Sequence, residues 1–386
     1  MEDIKEPDLL TPLKKIDNLL VIAKGGAQPI ILDKYDEYLN LPNKIVKMTD
    51  LVNYLDIFDN YHSQFPNEKK VLNSYLKLDQ IILGFGDYLP DFGSSEIESY
   101  FLNSNTGKVK ISLKDYIKYL FIMNPQYSII PFEYVPCDAG KKRIQRFLNK
   151  INIAFEKMEK EQGFKECNLI MPYYLDSEKF LEENVKYINN LNKCKGMLIF
   201  CDDYKNINYE KIEKYKEQIE KKINNKELNM IIKSSTENIL DLIIGILIGC
   251  SHFEISFPHI YAQLGKCLNI NFTEFDVNKD YGKIKDLENF NFEPKFLDYN
   301  DIKYLDETID ITKDCKCFSC LTGYKRSYLH HLFKCKELNG PIIVNIHNYF
   351  QTRELYEKLS EYKNDIDKLN NFIMWFITSQ CTQIKI

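Results

Sequence analysis

The sequence predicts an α/β protein, a (β/α)8 barrel of the TIM type carrying a metal-binding insertion near its C-terminal end. Three observations lead there. Short apolar runs of four to six residues recur along the chain. Longer amphipathic stretches separate them. A tight cysteine cluster follows the last unit of that alternation.

The apolar runs give strands over 19–23, 81–85, 128–131, 168–172, 196–201, 229–233 and 252–256. They are mostly continuous rather than alternating, as expected for strands covered on both faces. Helical periodicity places helices over 113–121, 141–159, 177–191, 209–223 and 236–248. Ser234-Ser235-Thr236-Glu237 sets a hydroxyl three residues before a carboxylate, a capping-box pattern for the helix that follows. Asp176 or Ser177 can cap the helix after the strand at 168–172.

Strand–helix alternation with short joints implies a parallel sheet with right-handed crossovers, and seven or eight units favour a closed barrel over an open doubly wound sheet. Two stretches break the alternation. Residues 59–70 are polar and irregular and read as an insertion or surface loop. Residues 271–314 are rich in Asn, Asp, Lys and Phe and read as a late insertion leading into the cysteines. The whole chain, 1–386, is expected to be one barrel domain, with a metal-binding subdomain over about 290–350 and a closing helix over about 353–373.

Composition narrows the function classes. The chain is 44% apolar and 28% charged with a formal net charge of −5, which fits a globular protein. That charge excludes a surface that grips nucleic acid everywhere but leaves room for a local basic patch. Lysine supplies nearly all the positive charge. Arginine occurs only at Arg143, Arg146, Arg326 and Arg353. The eleven cysteines are scattered and odd in number, which favours a reducing compartment over a disulfide framework. Met1 to Leu9 carries no secretory pattern. The longest apolar run, 239–250, is too short to span a bilayer and contains Asp241. A cytoplasmic protein is expected, and a peripheral position on the mitochondrial outer membrane is compatible with it.

Cys315-Lys316-Cys317-Phe318-Ser319-Cys320 puts three thiols within six residues, enough to wrap one ion through a tight turn. The fourth ligand must come from elsewhere. His330, His331, Cys335 and His347 are the candidates. His330 and His331 fall in an expected helical stretch, 326–338, where adjacent residues point about 100° apart, so only one of them could face the cluster.

These residues carry a resemblance. Cys315-x-Cys317-x-x-Cys320, then Arg326-Ser327-Tyr328-Leu329-His330-His331-Leu332, then Ile346-His347-Asn348, resembles the zinc subdomain of tRNA-guanine transglycosylases. The resemblance implies one structural zinc ion held by Cys315, Cys317, Cys320 and His347. The spacing from Cys320 to His347 is one residue longer than the family's. Upstream, 249–258 and Gly265-Lys266-Cys267-Leu268 are similar to a strand end and turn of the same family.

The same resemblance exposes departures. The enzymes need an Asp nucleophile followed by Cys-Val and Pro-Thr-Arg. Here Glu254 stands in that place, followed by Ile255-Ser256 and Pro258-His259-Ile260. One extra methylene displaces the carboxylate by about an ångström, enough to cost about a hundredfold in rate. The family's Asp-Ser-Gly-Gly-Phe-Gln motif is not found. The corresponding stretch, 84–95, holds Asp87, Asp91 and Gly93-Ser94-Ser95 in another order. A Gly-Gly-Leu loop is replaced by Cys201-Asp202-Asp203-Tyr204.

The pattern is similar to the accessory lineage of the eukaryotic queuine tRNA-ribosyltransferases. It implies a non-catalytic chain, with no catalytic residue and Glu254 as a degenerate position. It also implies pairing with a catalytic subunit in a heterodimer that acts on tRNA. Two other readings stay open: a self-sufficient transglycosylase using Glu254, and a zinc-stabilised RNA-binding scaffold.

Four further groups are noted. Asp202 and Asp203 could hold a metal, though solvated or capping roles are commoner for loop carboxylates. Glu133 is expected in a salt bridge at the barrel mouth. Lys141, Lys142, Arg143 and Arg146 form a basic stretch at a helix start, and Lys325-Arg326 another near the cysteines. Either could touch tRNA phosphate or be a solvated face.

Overall fold

The computed structural model describes residues 11–23, 29, 31, 33–66, 80–86, 96–104, 106–135, 139–161, 167–175, 185–191, 193–201, 207–223, 228, 230–236 and 238–384. Its centre is a closed barrel of eight parallel strands. These are β1 (Leu19–Ala23), β2 (Asn43–Lys47), β3 (Gln80–Gly84), β4 (Tyr127–Ile129), β5 (Asn168–Tyr174), β6 (Gly196–Phe200), β7 (Met230–Thr236) and β8 (His252–Ile255). Each pairs with its sequence neighbour, and β8 closes on β1 with Leu20 opposite Glu254.

Helices follow the strands around the outside: α1 (Asp33–Leu39), α2 (Leu55–Gln64), α3 (Leu113–Met123), α4 (Lys141–Lys160), α5 (Val185–Leu191), α6 (Tyr209–Ile223), α7 (Ile239–Leu247) and α8 (Phe257–Gln263). An antiparallel hairpin, Ser99–Ser104 with Gly107–Ser112, is inserted between β3 and α3. Val21, Ile45, Ile82, Ile129, Ile170, Leu198, Ile232 and Ile255 come from the eight strands and are all fully buried. Such strands, covered on both faces, read as unbroken apolar runs.

All the expected strands are present. The additional one, β2, contains Lys44 and Lys47, which hide its apolar character in the sequence. Both lysines are buried. Lys44 Nζ lies 2.7 Å from Asp36 of α1, and Lys47 turns toward Glu254.

The capping expectation is corrected. Ser234 and Thr236 belong to β7, and Glu237 lies outside the described residues. The box is built one turn later. The Asn238 side chain accepts from Leu240 N at 3.1 Å, and Asp241 accepts from Asn238 N at 3.2 Å. The apolar registry of the β7 strand outcompetes the local hydroxyl–carboxylate pattern.

The loop expected over 59–70 is also corrected, since residues 59–64 complete α2; residues 67–70 lie outside the described set, as do Asp176 and Ser177.

Beyond α8 the chain makes short antiparallel pairings, Lys266–Leu268 with Phe296–Asp298 and Phe292–Pro294 with Cys381–Gln383. Then come α9 (Phe318–Leu321), α10 (Arg326–Lys334), α11 (Asn339–Tyr362) and α12 (Ile366–Trp375). The expected helix over 326–338 ends early, because Lys336 takes a left-handed φ of 57° before α11 begins. The region expected to be one closing helix spans the end of α11 and most of α12, which meet at Asp365, the cap of α12. A second, smaller apolar cluster underlies this part: Ala262, Cys267, Leu297, Tyr299, Leu329 and Val344 are among its members.

His252, at the foot of β8, supplies a pH-dependent weakness. Its Nδ1 lies 2.8 Å from Ser251 Oγ. Burial pushes its pKa down to about 4, against the pull of Asp17. The folded state therefore binds fewer protons than the unfolded chain. Stability is complete above the ordinary imidazole pKa and is lost as pH falls toward 4. The loss between pH 7 and pH 5 is expected to be about 2 kcal/mol. Urea midpoints at those two pH values, compared with H252N, measure it. An equal shift in the variant would remove His252 as the source.

Candidate metal centre and barrel mouth

The three clustered cysteines are held by one turn of chain. Cys317 caps the short helix α9, its Sγ accepting the Cys320 N–H at 3.3 Å. Its carbonyl accepts from Cys320 N and Leu321 N. Ser319, between the two cysteines, donates to Ile343 O at 2.8 Å and fastens α9 to α11. His347 rises from α11, fully buried, with Nδ1 facing the thiols. That nitrogen lies 3.8 Å from Cys315 Sγ, 3.3 Å from Cys317 Sγ and 3.4 Å from Cys320 Sγ.

All four ligand atoms lie within 4.8 Å of one another, so the group could hold a metal ion. Bond lengths of about 2.3 Å to sulfur and 2.0–2.1 Å to nitrogen give a tetrahedron with N···S edges of about 3.5 Å. The observed edges match that figure.

The surrounding hydrogen bonds orient the ligand atoms. His347 Nε2–H donates to Leu268 O at 2.9 Å, which leaves Nδ1 as the lone-pair nitrogen. Gln351 Nε2 donates to Cys315 Sγ at 3.5 Å. Hydrogen bonds from Cys317 and Cys320 lower the Cys315 thiol, with His347 adding to the effect, while burial raises Cys317. Burial works against charge on His347, but the charges of Cys267, Cys315 and Cys320 outweigh it and hold its pKa well above the usual range. So many buried, mutually interacting acidic groups are a poor arrangement without a cation, and a divalent ion resolves it.

The other candidate ligands are elsewhere. His330 Nδ1 is bonded to Tyr299 O at 2.9 Å. His331 and Cys335 are exposed neighbours on the outer side of α10, 3.8 Å apart at Nδ1 and Sγ.

Sequence reading missed the residues that brace the site. Asn348 accepts from Leu268 N at 2.9 Å and donates to Pro258 O and Lys266 O, each at 3.1 Å. His347 and Asn348 therefore grip both sides of Leu268. Gln351 Oε1 accepts from Ile270 N at 3.1 Å. The turn into this strand needs Gly265. Its φ is +75°, and a Cβ there would sit 2.6 Å from Asn300 Nδ2. The one signal available was the concentration of amides and other polar residues, Asn345, His347, Asn348, Gln351, Thr352 and Arg353, among the apolar residues of one helix.

Near the end of β8, Glu254 is fully buried, with Oε1 3.5 Å from Lys47 Nζ. Lys233, also buried, donates to Ser234 O at 3.0 Å. Burial opposes its charge, but Cys201, Asp241 and Cys250 outweigh it and keep the ammonium protonated. Above β4, β5 and β6 the mouth holds an aromatic cluster. Tyr174 and Phe200 stack at 4.7 Å, Phe132 meets Phe200 at 5.5 Å, and Phe147 meets Tyr174 at 5.3 Å.

Glu133 forms its expected salt bridge, with Lys150 Nζ at 2.5 Å. Arg326 pairs with Glu307 at 3.1 Å and donates to the carbonyls of Asp310 and Ile311, while Lys325 pairs with Asp310. Both thus have protein partners. Lys141, Lys142, Arg143 and Arg146 are exposed on the first turns of α4. Asp87, Asp91, Gly93-Ser94-Ser95, Asp202 and Asp203 lie outside the described residues. Among the described residues no helix is long and apolar enough to cross a membrane.

Comparison with known proteins agrees with this geometry. The family model described as queuine tRNA-ribosyltransferase matches residues 48–379. A queuine tRNA-ribosyltransferase-like protein of Plasmodium falciparum (isolate 3D7) is 26% identical over 376 residues, covering 88% of this chain and 90% of its own. A protein named queuine tRNA-ribosyltransferase accessory subunit 2, from Aedes aegypti, is 22% identical, covering 92% and 83%. A queuine tRNA-ribosyltransferase-like protein of Theileria parva is 22% identical, covering 90% and 86%.

Proposed function

The chain belongs to the queuine tRNA-ribosyltransferase family, and on that premise we propose that it is a non-catalytic accessory subunit. It pairs with a separate catalytic subunit and supports the exchange of guanine for queuine at the wobble position of tRNA anticodons. The observation that carries the reading is Glu254, fully buried and facing Lys47 at 3.5 Å. A covalent nucleophile must reach the substrate from the mouth of the barrel. Freeing this carboxylate would leave a buried ammonium uncompensated, a penalty of about 3–5 kcal/mol. The aromatic rings over β4–β6 occupy further space where a base would enter. Relatives named accessory subunit 2 support the same reading.

In this reading the ion is zinc, held by Cys315, Cys317, Cys320 and His347. Three thiolates and an imidazole in a tetrahedral frame suit it, and four protein ligands leave no open position. Bound there, zinc supplies folding free energy rather than chemistry. None of the ten described cysteines forms a disulfide, which suits a cytoplasmic setting.

Guanine exchange into tRNA tests the proposal. The chain alone is expected to show no turnover, and the complex with a catalytic subunit to be active. In that complex Glu254→Gln is expected to lower the melting temperature but to change the rate per folded complex by less than about twofold. Turnover by the isolated chain, or a loss of about a hundredfold per folded complex in Glu254→Gln, would instead establish Glu254 as a nucleophile. Failure to co-purify with a catalytic subunit would favour an RNA-binding scaffold.

A further inference from the structure

We propose that the exposed basic turn opening α4, formed by Lys141, Lys142, Arg143 and Arg146, is a contact surface for the phosphate backbone of RNA. The argument starts from arginine. Lysine is abundant everywhere in this chain and says little about any one spot, but there are only four arginines. Arg326 is spent on Glu307 and the carbonyls of Asp310 and Ile311. Arg353 is spent on the carbonyls of Leu39 and Lys14. Arg143 and Arg146 have no ion pair among the described residues. They sit three residues apart on one helix, so they share a face. A planar guanidinium can donate two parallel hydrogen bonds to one phosphate, a geometry lysine cannot reproduce.

The placement is also specific. α4 follows β4, so its first turn lies at the C-terminal end of the barrel strands, the end of β8 near which Glu254 lies. The chain as a whole carries −5, so the patch is a local feature and not a bulk property. Lys142, Arg143 and Arg146 lie within five residues and repel one another, and the first turn of α4 itself contains no acidic residue. A polyanion would relieve that repulsion.

RNA is favoured over an anionic membrane by what lies between the charges. Ile144, Phe147 and Leu148 are turned into the core, with 0%, 2% and 0% of their surface exposed. The outward residues are Gln145 and Asn149 besides the cations. Among the described residues of these turns no exposed apolar side chain is available to enter a lipid interface. That the RNA is a tRNA rests on the accessory-subunit reading.

The test is fluorescence anisotropy with labelled tRNA carrying guanine at the wobble position. It uses the full chain, alone and with its catalytic partner, across a salt series. R143Q/R146Q is expected to weaken binding about tenfold at low salt and to reduce the slope of log K against log salt by about 1.5 to 2. R143K/R146K should recover the slope and part of the affinity. K214Q/K221Q, on exposed positions of α6, should change neither. Unaltered binding in R143Q/R146Q would overturn the surface and leave the accessory reading standing. No tRNA binding in either form would overturn both. Arginine-dependent capture by phosphatidylserine vesicles, with tRNA binding unaffected, would assign the patch to a membrane instead.

Discussion

Removing the metal from the Cys315–Cys317–Cys320–His347 centre is expected to lower the melting temperature by about 10–20 °C. Structural zinc contributes about 10 kcal/mol or more in small metal domains, as much as the whole net stability of many proteins. In a chain of this length each kcal/mol moves the midpoint by about 1–2 °C. The loss should not be uniform. α9 and the loop before it are shaped around the cysteines, and the small apolar cluster that includes Leu329 and Val344 depends on them for its cover. That part should lose protection from hydrogen exchange before the eight-stranded core does. Cys317→Ser should reproduce the effect of a chelator, and zinc should restore the wild-type protein but not the variant. Scanning calorimetry with elemental analysis decides. Equal midpoints for stripped and loaded protein would remove the ion from any structural role.

Arg353→Met is expected to destabilise the fold by about 3–5 kcal/mol, the second largest effect. The guanidinium is buried inside α11. It donates to Leu39 O and, at 2.6 Å, to Lys14 O. Burial lowers its pKa, with Glu357 and Tyr38 pulling the other way. Methionine fills similar volume but leaves the buried Leu39 carbonyl and the part-buried Lys14 carbonyl without this donor, a loss of about 1–3 kcal/mol at the buried one and less at the other, added to the lost packing of the guanidinium. Urea denaturation measures the change. A difference below about 1 kcal/mol would mean that water replaces the guanidinium.

These two sites differ in how much of them could be read in advance. The thiols were legible because Cys315, Cys317 and Cys320 act within a single turn, and spacing alone reports a single turn. His347 was not, since 27 residues separate it from Cys320 and three other side chains offered the same chemistry. Only the family resemblance favoured it, and the structure explains the choice by giving His330 to Tyr299 O and His331 to the surface.

The barrel was legible for a related reason. Strands buried on both faces announce themselves as apolar runs, whereas β2 was obscured by two lysines whose charges are met by Asp36 and Glu254, partners from other elements. α11 was the hardest. Asn345, His347, Asn348, Gln351, Thr352 and Arg353 are all buried, so the helix has no polar face for a periodicity to reveal. Its polar groups answer distant backbone atoms, and no local pattern encodes those.

The same helix sets a timetable for synthesis. Asn345 donates to Pro29 O across 316 residues, and Arg353 reaches Leu39 and Lys14 across 314 and 339. Lys14 and Pro29 lie on either side of β1 and Leu39 ends α1 before β2; β1 is the first of the eight barrel strands to be made and one of the two that seal the barrel. At about 5–20 residues per second, roughly 15 seconds or more pass before α11 can meet them. Through that interval the leading strand has neither its late neighbour β8 nor its helical clasp. It is the part of the nascent chain with the longest wait, and the part for which a chaperone would matter most.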